Sequence, residues 1–76
     1  MKISRAQRQR FMEILLRMGI KDDDIKGLAL FMNEEKHLQA LLKVMEEQDY
    51  KMTAQEIYRA GAEIITGKSI EELIKM

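Results

Sequence analysis

Apolar residues recur at spacings of three and four along the whole chain, and no proline interrupts them. This spacing gathers apolar side chains on one helix face, and no segment sustains the alternate-residue pattern of a strand. One such stripe joins Phe11, Ile14, Leu15 and Met18. The pattern predicts an all-α fold. With 76 residues, we expect one domain, 1–76, folded as a single compact bundle of four or five short helices.

Capping signals divide the chain into these helices. Ser4 with Gln7, and Thr53 with Glu56, have the spacing of a capping box, in which two side chains satisfy free backbone amides. Glycines mark helix ends, because they accept the left-handed conformation that often follows a last turn. We therefore expect helices from Arg5 to Met18, from about Asp22, from an N-cap at Asn33 to about Gln48, from Thr53 to Gly67 and from Ile70 to Met76.

Glycine within a predicted helix indicates a close neighbour. Gly27 lies in the second turn of helix 2, where glycine costs about 1 kcal/mol relative to alanine. Ala60 and Gly61 form a small-residue site in helix 4. Both sites predict that another part of the chain approaches closely.

The segment from Leu15 to Leu28 resembles a helix-turn-helix unit, with Gly19 at the turn. The resemblance implies two packed helices of that shape. The second helix, however, begins with three aspartates, which would repel phosphates, and its apolar body offers few donors for base edges. We expect the shape without DNA reading by this helix.

Charge is balanced overall, with 13 basic and 13 acidic residues, but it is unevenly distributed. Residues 1–21 hold six basic side chains and one acidic side chain, Glu13. Cations in the first turn oppose the helix dipole, so their presence there favours a binding role. The candidate residues for binding an acidic partner or phosphates are Arg5, Arg8, Arg10, Arg17 and Lys21.

Catalytic and metal chemistry find little support in the composition. The chain has no cysteine and one histidine, His37, which excludes thiolate cages and multi-histidine zinc sites within one chain. Most glutamates have a basic neighbour one turn away, as Glu13 has Arg17. The string from Ala62 to Ser69 fits a loose phosphate-loop pattern but lacks the preceding strand. We expect no catalytic, cofactor-binding or metal-binding residues, no cofactor and no enzyme activity.

These observations favour a non-catalytic interaction or regulatory module that binds an acidic macromolecule through its basic N-terminal helix. The alternative is a nucleic-acid-binding domain of helix-turn-helix type. A third possibility is a small structural homo-oligomer, in which the acidic end of helix 3 (Glu46, Glu47 and Asp49) meets the basic start of helix 1 of another copy. No apolar run reaches the ~18 residues of a membrane span, so we expect no membrane partner and a cytoplasmic location.

Overall fold

The computed structural model describes residues 1–67, which form a small bundle of four helices. The helices are α1 (Arg5–Arg17), α2 (Asp22–Phe31), α3 (Glu35–Glu47) and α4 (Ala54–Thr66). No strand occurs in this part of the chain. The all-α prediction is confirmed. The expected last helix, Ile70–Met76, and the end of the phosphate-loop-like string lie outside the described residues.

Both ends of α1 follow the predicted local chemistry. Ser4 and Gln7 form a reciprocal capping box, with bonds of 3.1 Å and 2.7 Å. At the other end, Gly19 adopts a φ of 84°. The amide of Ile20 donates to the carbonyl of Leu15, which gives the double hydrogen-bond ending of a Schellman motif together with the Gly19 amide. The chain thus reverses sharply, and α2 packs against α1.

The connection between α2 and α3 corrects one sequence prediction. Asn33 does not cap α3, which begins after Glu34 without a side-chain cap. Its amide nitrogen instead donates to the Leu30 carbonyl at 2.9 Å and so satisfies the end of α2. Its backbone carbonyl accepts from the Ile3 amide, which pairs residues 1–3 with this connection. Asparagine serves either helix end, and this tertiary pairing selects the earlier one.

The N-terminal segment also engages Glu34 through charge. The Met1 amino group lies 3.1 Å from Glu34 Oε2. This hydrogen bond and its Coulomb attraction hold the pKa of the Glu34 carboxyl below its ordinary value. Ile3, two residues on, is buried in the core. The segment before α1 is therefore part of the fold.

The core draws side chains from all four helices. The described residues bury no polar or charged side chain, and the largest fully buried side chains are Phe11, Leu15, Leu28, Met32, Leu41, Met45 and Ile57. α1, α3 and α4 supply most of them, and Phe11 and Leu15 belong to the stripe predicted for α1. α3 packs mainly on α4, as α1 does on α2, so the bundle consists of two helical hairpins.

Two glycines provide the predicted close approaches. A Cβ on Gly27 would collide with the Tyr58 hydroxyl, because this tyrosine reaches across from α4 to the α2 backbone. A Cβ on Gly61 would lie 3.1 Å from Phe31 Cε1. The rings of Phe31 and Tyr58 meet at a centroid distance of 6.0 Å. These contacts join α2 of the first hairpin to α4 of the second.

Among the four helices within residues 1–67, none has both the length and the apolar character that crossing a bilayer requires.

Candidate interaction surface

The arginines of α1 separate into one that serves the fold and others that face solvent. Arg8 is half-buried on the side that faces α2. Its guanidinium donates to the Ala29 carbonyl and, at 3.2 Å, to Asn33 Oδ1. A cation at a helix C-terminus satisfies free carbonyls and complements the dipole. The structure therefore gives Arg8 the role of a cap for α2.

Arg10 and Arg17 lie on the outer side of α1 and are exposed. Their separation of seven residues corresponds to two turns, or about 10 Å along the helix axis. Within residues 1–67 neither forms an ion pair. Glu13, which lies between them in sequence, does not pair with Arg17 as its spacing predicts. The two guanidinium groups are thus available to a partner.

The remaining two candidates are also exposed but lie elsewhere. Arg5 occupies the first position of α1, and Lys21 is the residue immediately before α2. The five basic residues of the sequence prediction consequently do not share one surface. Arg10 and Arg17 form a pair, Arg8 is engaged by α2, and Arg5 and Lys21 flank opposite ends of α1.

A residue that the charge pattern did not indicate, Tyr50, completes the outer surface. α3 ends with the same two hydrogen bonds as α1, from Tyr50 to Met45 and from Asp49 to Glu46, at 2.8 Å and 2.9 Å. Here no glycine takes the left-handed positions: φ is 59° at Asp49 and 56° at Tyr50. Aspartate tolerates this conformation, whereas a bulky residue adopts it only when the surroundings require it.

Tyr50 and α1 together enclose an open groove of about 910 Å³. Ile14 and Met18, which are partly buried against the core, contribute its apolar side chains. The tyrosine remains 46% exposed, so much of its ring is available for a further contact. We call this surface the Tyr50 groove; its principal residues are Arg10, Glu13, Ile14, Arg17, Met18 and Tyr50.

The net charge of the Tyr50 groove is positive, because two arginines outnumber Glu13. The acidic residues at the end of α3 do not neutralise it. Glu46 and Glu47 form no ion pair with α1 in the described part of the chain, and Asp49 pairs weakly with Lys51 at 4.0 Å. The groove therefore combines apolar side chains, an aromatic ring and cations without carboxylate partners.

The possible metal ligands of the described residues do not gather at this surface. Among residues 1–67, no group of three or more histidine, aspartate or glutamate side chains is placed to hold a metal ion. His37 is half-buried on α3, away from the Tyr50 groove. The groove presents two guanidinium groups, a carboxylate, a phenol and a thioether.

Comparison of the chain with models of protein families, with curated proteins and with solved structures finds no match. The functional argument consequently depends on the geometry described above.

Of the residues that line the Tyr50 groove, the charge pattern singled out Arg10 and Arg17 as candidates but not Tyr50. One signal could have identified it. Many helices end in a left-handed residue, and the residues directly after Glu46 and Glu47 contain no glycine or asparagine to take that position. An aromatic residue in such a stretch is therefore a candidate for an unusual backbone conformation.

Proposed function

We propose that this protein is a non-catalytic binding module whose Tyr50 groove takes an acidic segment of a partner protein. The observation that carries the proposal is the position of Tyr50, held in a left-handed conformation beside two arginines without ion-pair partners. Tyrosine and arginine are the residues most often responsible for binding energy at interfaces. The sequence predicts that the basic N-terminal helix binds an acidic partner, and the proposal limits the binding surface to one face of α1.

The groove also constrains the form of the partner. Arg10 and Arg17 are about 10 Å apart along the axis, which matches two carboxylates three residues apart on a chain in the polyproline II conformation, where the same side recurs every three residues at about 3.1 Å per residue. Glu13 lies between them and would repel a third carboxylate. We therefore expect two acidic residues, with two uncharged residues between them, and an apolar side chain against Tyr50 and Met18.

Nucleic acid is the less favourable ligand on charge grounds. The first turn of α2 contains three aspartates, and α3 begins beside Glu34 and Glu35. Both helix N-termini, the usual places for phosphate contacts, thus carry carboxylates that repel a phosphate backbone. The exposed arginines that remain on α1 are Arg5 at its start and Arg10 and Arg17 on its outer face, too few for the series of phosphate contacts that a duplex offers.

A backbone NMR titration tests the proposal with two probes at low salt. The first is an extended peptide with two glutamates three residues apart and one leucine; its control carries glutamines. The second is a random-sequence DNA duplex. We expect the acidic peptide to shift the amides of Arg10, Arg17 and Tyr50, and the glutamine peptide to shift them far less. Shifts produced by the duplex instead of the peptide would replace the proposal with the nucleic-acid alternative.

Substitutions then locate the site. Tyr50→Ala should lower peptide affinity about fivefold or more, because a buried aromatic contact is lost. Arg10→Gln and Arg17→Gln should each lower it about two- to fivefold, the usual size for exposed ion pairs. Arg59→Gln, which removes the same charge from α4, is the matched control and should leave affinity unchanged. An equal loss from Arg59→Gln would indicate non-specific attraction and overturn the proposal.

A further inference from the structure

We infer that a different face of α1 binds a second copy of this chain, through a groove between α1 and α2. This second groove, of about 430 Å³, contains Met12 and the exposed Leu16. Leu16 is 66% exposed although it stands in a helix whose other side is fully buried. A single exposed leucine is ordinary by itself. The inference depends on the charges that surround it.

Four charged residues line this groove, and they are sorted by sign along α1. Arg5 and Arg8 lie towards the N-terminus of α1. Glu13 lies towards its C-terminus, and Asp22, at the start of α2, lies at the same end as Leu16 because the turn at Gly19 is short. The lining is therefore neutral in total, with one basic and one acidic half. Asp22 also pairs with Lys26 of its own chain at 3.2 Å, but this pair is exposed and of the kind that contributes little to stability, so an arginine of a second copy can share the carboxylate.

This sorted pattern is complementary to itself. When two copies place their α1 helices antiparallel, Arg5 of each meets Asp22 of the other, and Glu13 meets the half that contains Arg8. Leu16 then lies against the aliphatic stem of the opposing Arg5, with Met12 near the two-fold axis. A parallel arrangement would instead oppose like charges. The distribution thus selects a closed, isologous dimer, the commonest form of homo-oligomer.

An acidic peptide does not fit this groove as well. It would encounter Glu13 and Asp22 in half of the site, whereas the Tyr50 groove carries excess positive charge. Leu30 supplies a further contrast: it is 73% exposed, more than Leu16, but it does not line this groove. Exposure alone would make Leu30 the better candidate, and charge complementarity favours Leu16.

Sedimentation equilibrium measures the proposed dimer. We expect the dissociation constant to rise about fivefold or more in Leu16→Asn, because an apolar contact is lost twice in each dimer. Leu30→Asn is the matched control and should change it less than about twofold. A wild-type chain that remains monomeric at millimolar concentration, or equal effects of both substitutions, would overturn the inference.

Charge reversal tests the two-fold geometry directly. Arg5→Glu and Asp22→Lys should each dimerise less than wild type, because both ends of the interface then oppose like charges. An equal mixture of the two variants should recover dimerisation, since the mixed dimer opposes opposite charges at both ends. Circular dichroism of each variant checks the fold. Mixing that fails to recover association, with both variants folded, would show that Arg5 and Asp22 do not pair.

Discussion

The two helical hairpins of this protein reverse direction through the same hydrogen-bond pattern but with different residues. Between α1 and α2, Gly19 takes the left-handed position, and a Cβ there would meet nothing within 4 Å. Between α3 and α4, Asp49 and Tyr50 take left-handed positions in succession. The first turn places a glycine in the left-handed region and is therefore unstrained. The second turn places two non-glycine residues there, which costs conformational energy.

The difference indicates where the chain uses side chains for something other than folding. Glycine at Asp49 or Tyr50 would relieve the strain at little cost in exposed surroundings. Retaining a tyrosine there places an aromatic ring beside α1 of the other hairpin. The first hairpin instead stabilises itself internally, since Arg8 of α1 caps α2. Three predictions, in order of decreasing effect, test this contrast.

The largest effect concerns the internal cap of the first hairpin. Arg8→Met keeps the aliphatic bulk and removes the donors to Ala29 and Asn33. A hydrogen bond from a charged group contributes about 1.5–3 kcal/mol, so we expect the free energy of unfolding to fall by about 2 kcal/mol. Urea denaturation measures this loss. Arg10→Met, on the exposed side, should stay within about 0.5 kcal/mol of wild type. Equal losses would mean that Arg8 does not cap α2 in solution.

The second prediction concerns substitutions that exchange the residue types of the two turns. Gly19→Ala should lower the free energy of unfolding by about 1 kcal/mol, because alanine pays the left-handed penalty. Asp49→Gly should raise it by about 0.5 kcal/mol, since glycine relieves strain but gains entropy in the unfolded chain. Thermal denaturation of both variants shows whether each substitution raises or lowers the free energy of unfolding.

These opposite signs are the critical result for the comparison. If Asp49→Gly also destabilises the protein, Asp49 makes a favourable contribution that offsets its backbone conformation, and the second turn is not strained. Peptide binding supplies an independent measurement, because Tyr50 is unchanged in this variant. We expect binding to persist, which separates the stability of the turn from its use.

Local chemistry explains which parts of the fold could be predicted. The capping boxes at Ser4 and Thr53 and the glycine ending at Gly19 depend on residues within a few positions of one another. Gly27 and Gly61 were also informative, because a missing Cβ records a close neighbour without identifying it. The structure supplied the identities, Tyr58 and Phe31.

Long-range geometry explains what sequence could not give. Arg8 and Arg10 look alike in a charge pattern, yet one faces α2 and the other faces solvent. That difference follows from the rotation of α1 on the core. The role of Asn33 likewise required knowledge that residues 1–3 pair with the α2–α3 connection. Tyr50 lines the groove only because the turn after α3 lies beside α1.

The smallest effect concerns the capping boxes, which differ between the hairpins in one respect. The box of α1 uses the uncharged Gln7, and that of α4 uses Glu56. The Thr53 backbone amide, and secondarily its hydroxyl, hold the pKa of the Glu56 carboxyl below its ordinary value of 4.5. A depressed pKa in the folded state adds stability above the unfolded pKa, and this contribution is lost as pH falls through the folded pKa. Glu56→Gln should therefore be less stable than wild type at neutral pH.

The difference in thermal midpoint between Glu56→Gln and wild type should disappear in acid, because wild-type Glu56 is then protonated as well. Thermal midpoints from neutral pH down through the acid range, to below the depressed pKa of the folded state, measure it. Gln7→Glu is the reciprocal change and should add an acid-sensitive contribution of the same sign to α1, strengthened by attraction between the carboxylate and the helix N-terminus. A gap that is unchanged by pH in Glu56→Gln would mean that the effect comes from side-chain packing. In that case the two boxes would be equivalent, and the contrast between the hairpins would depend on their turns alone.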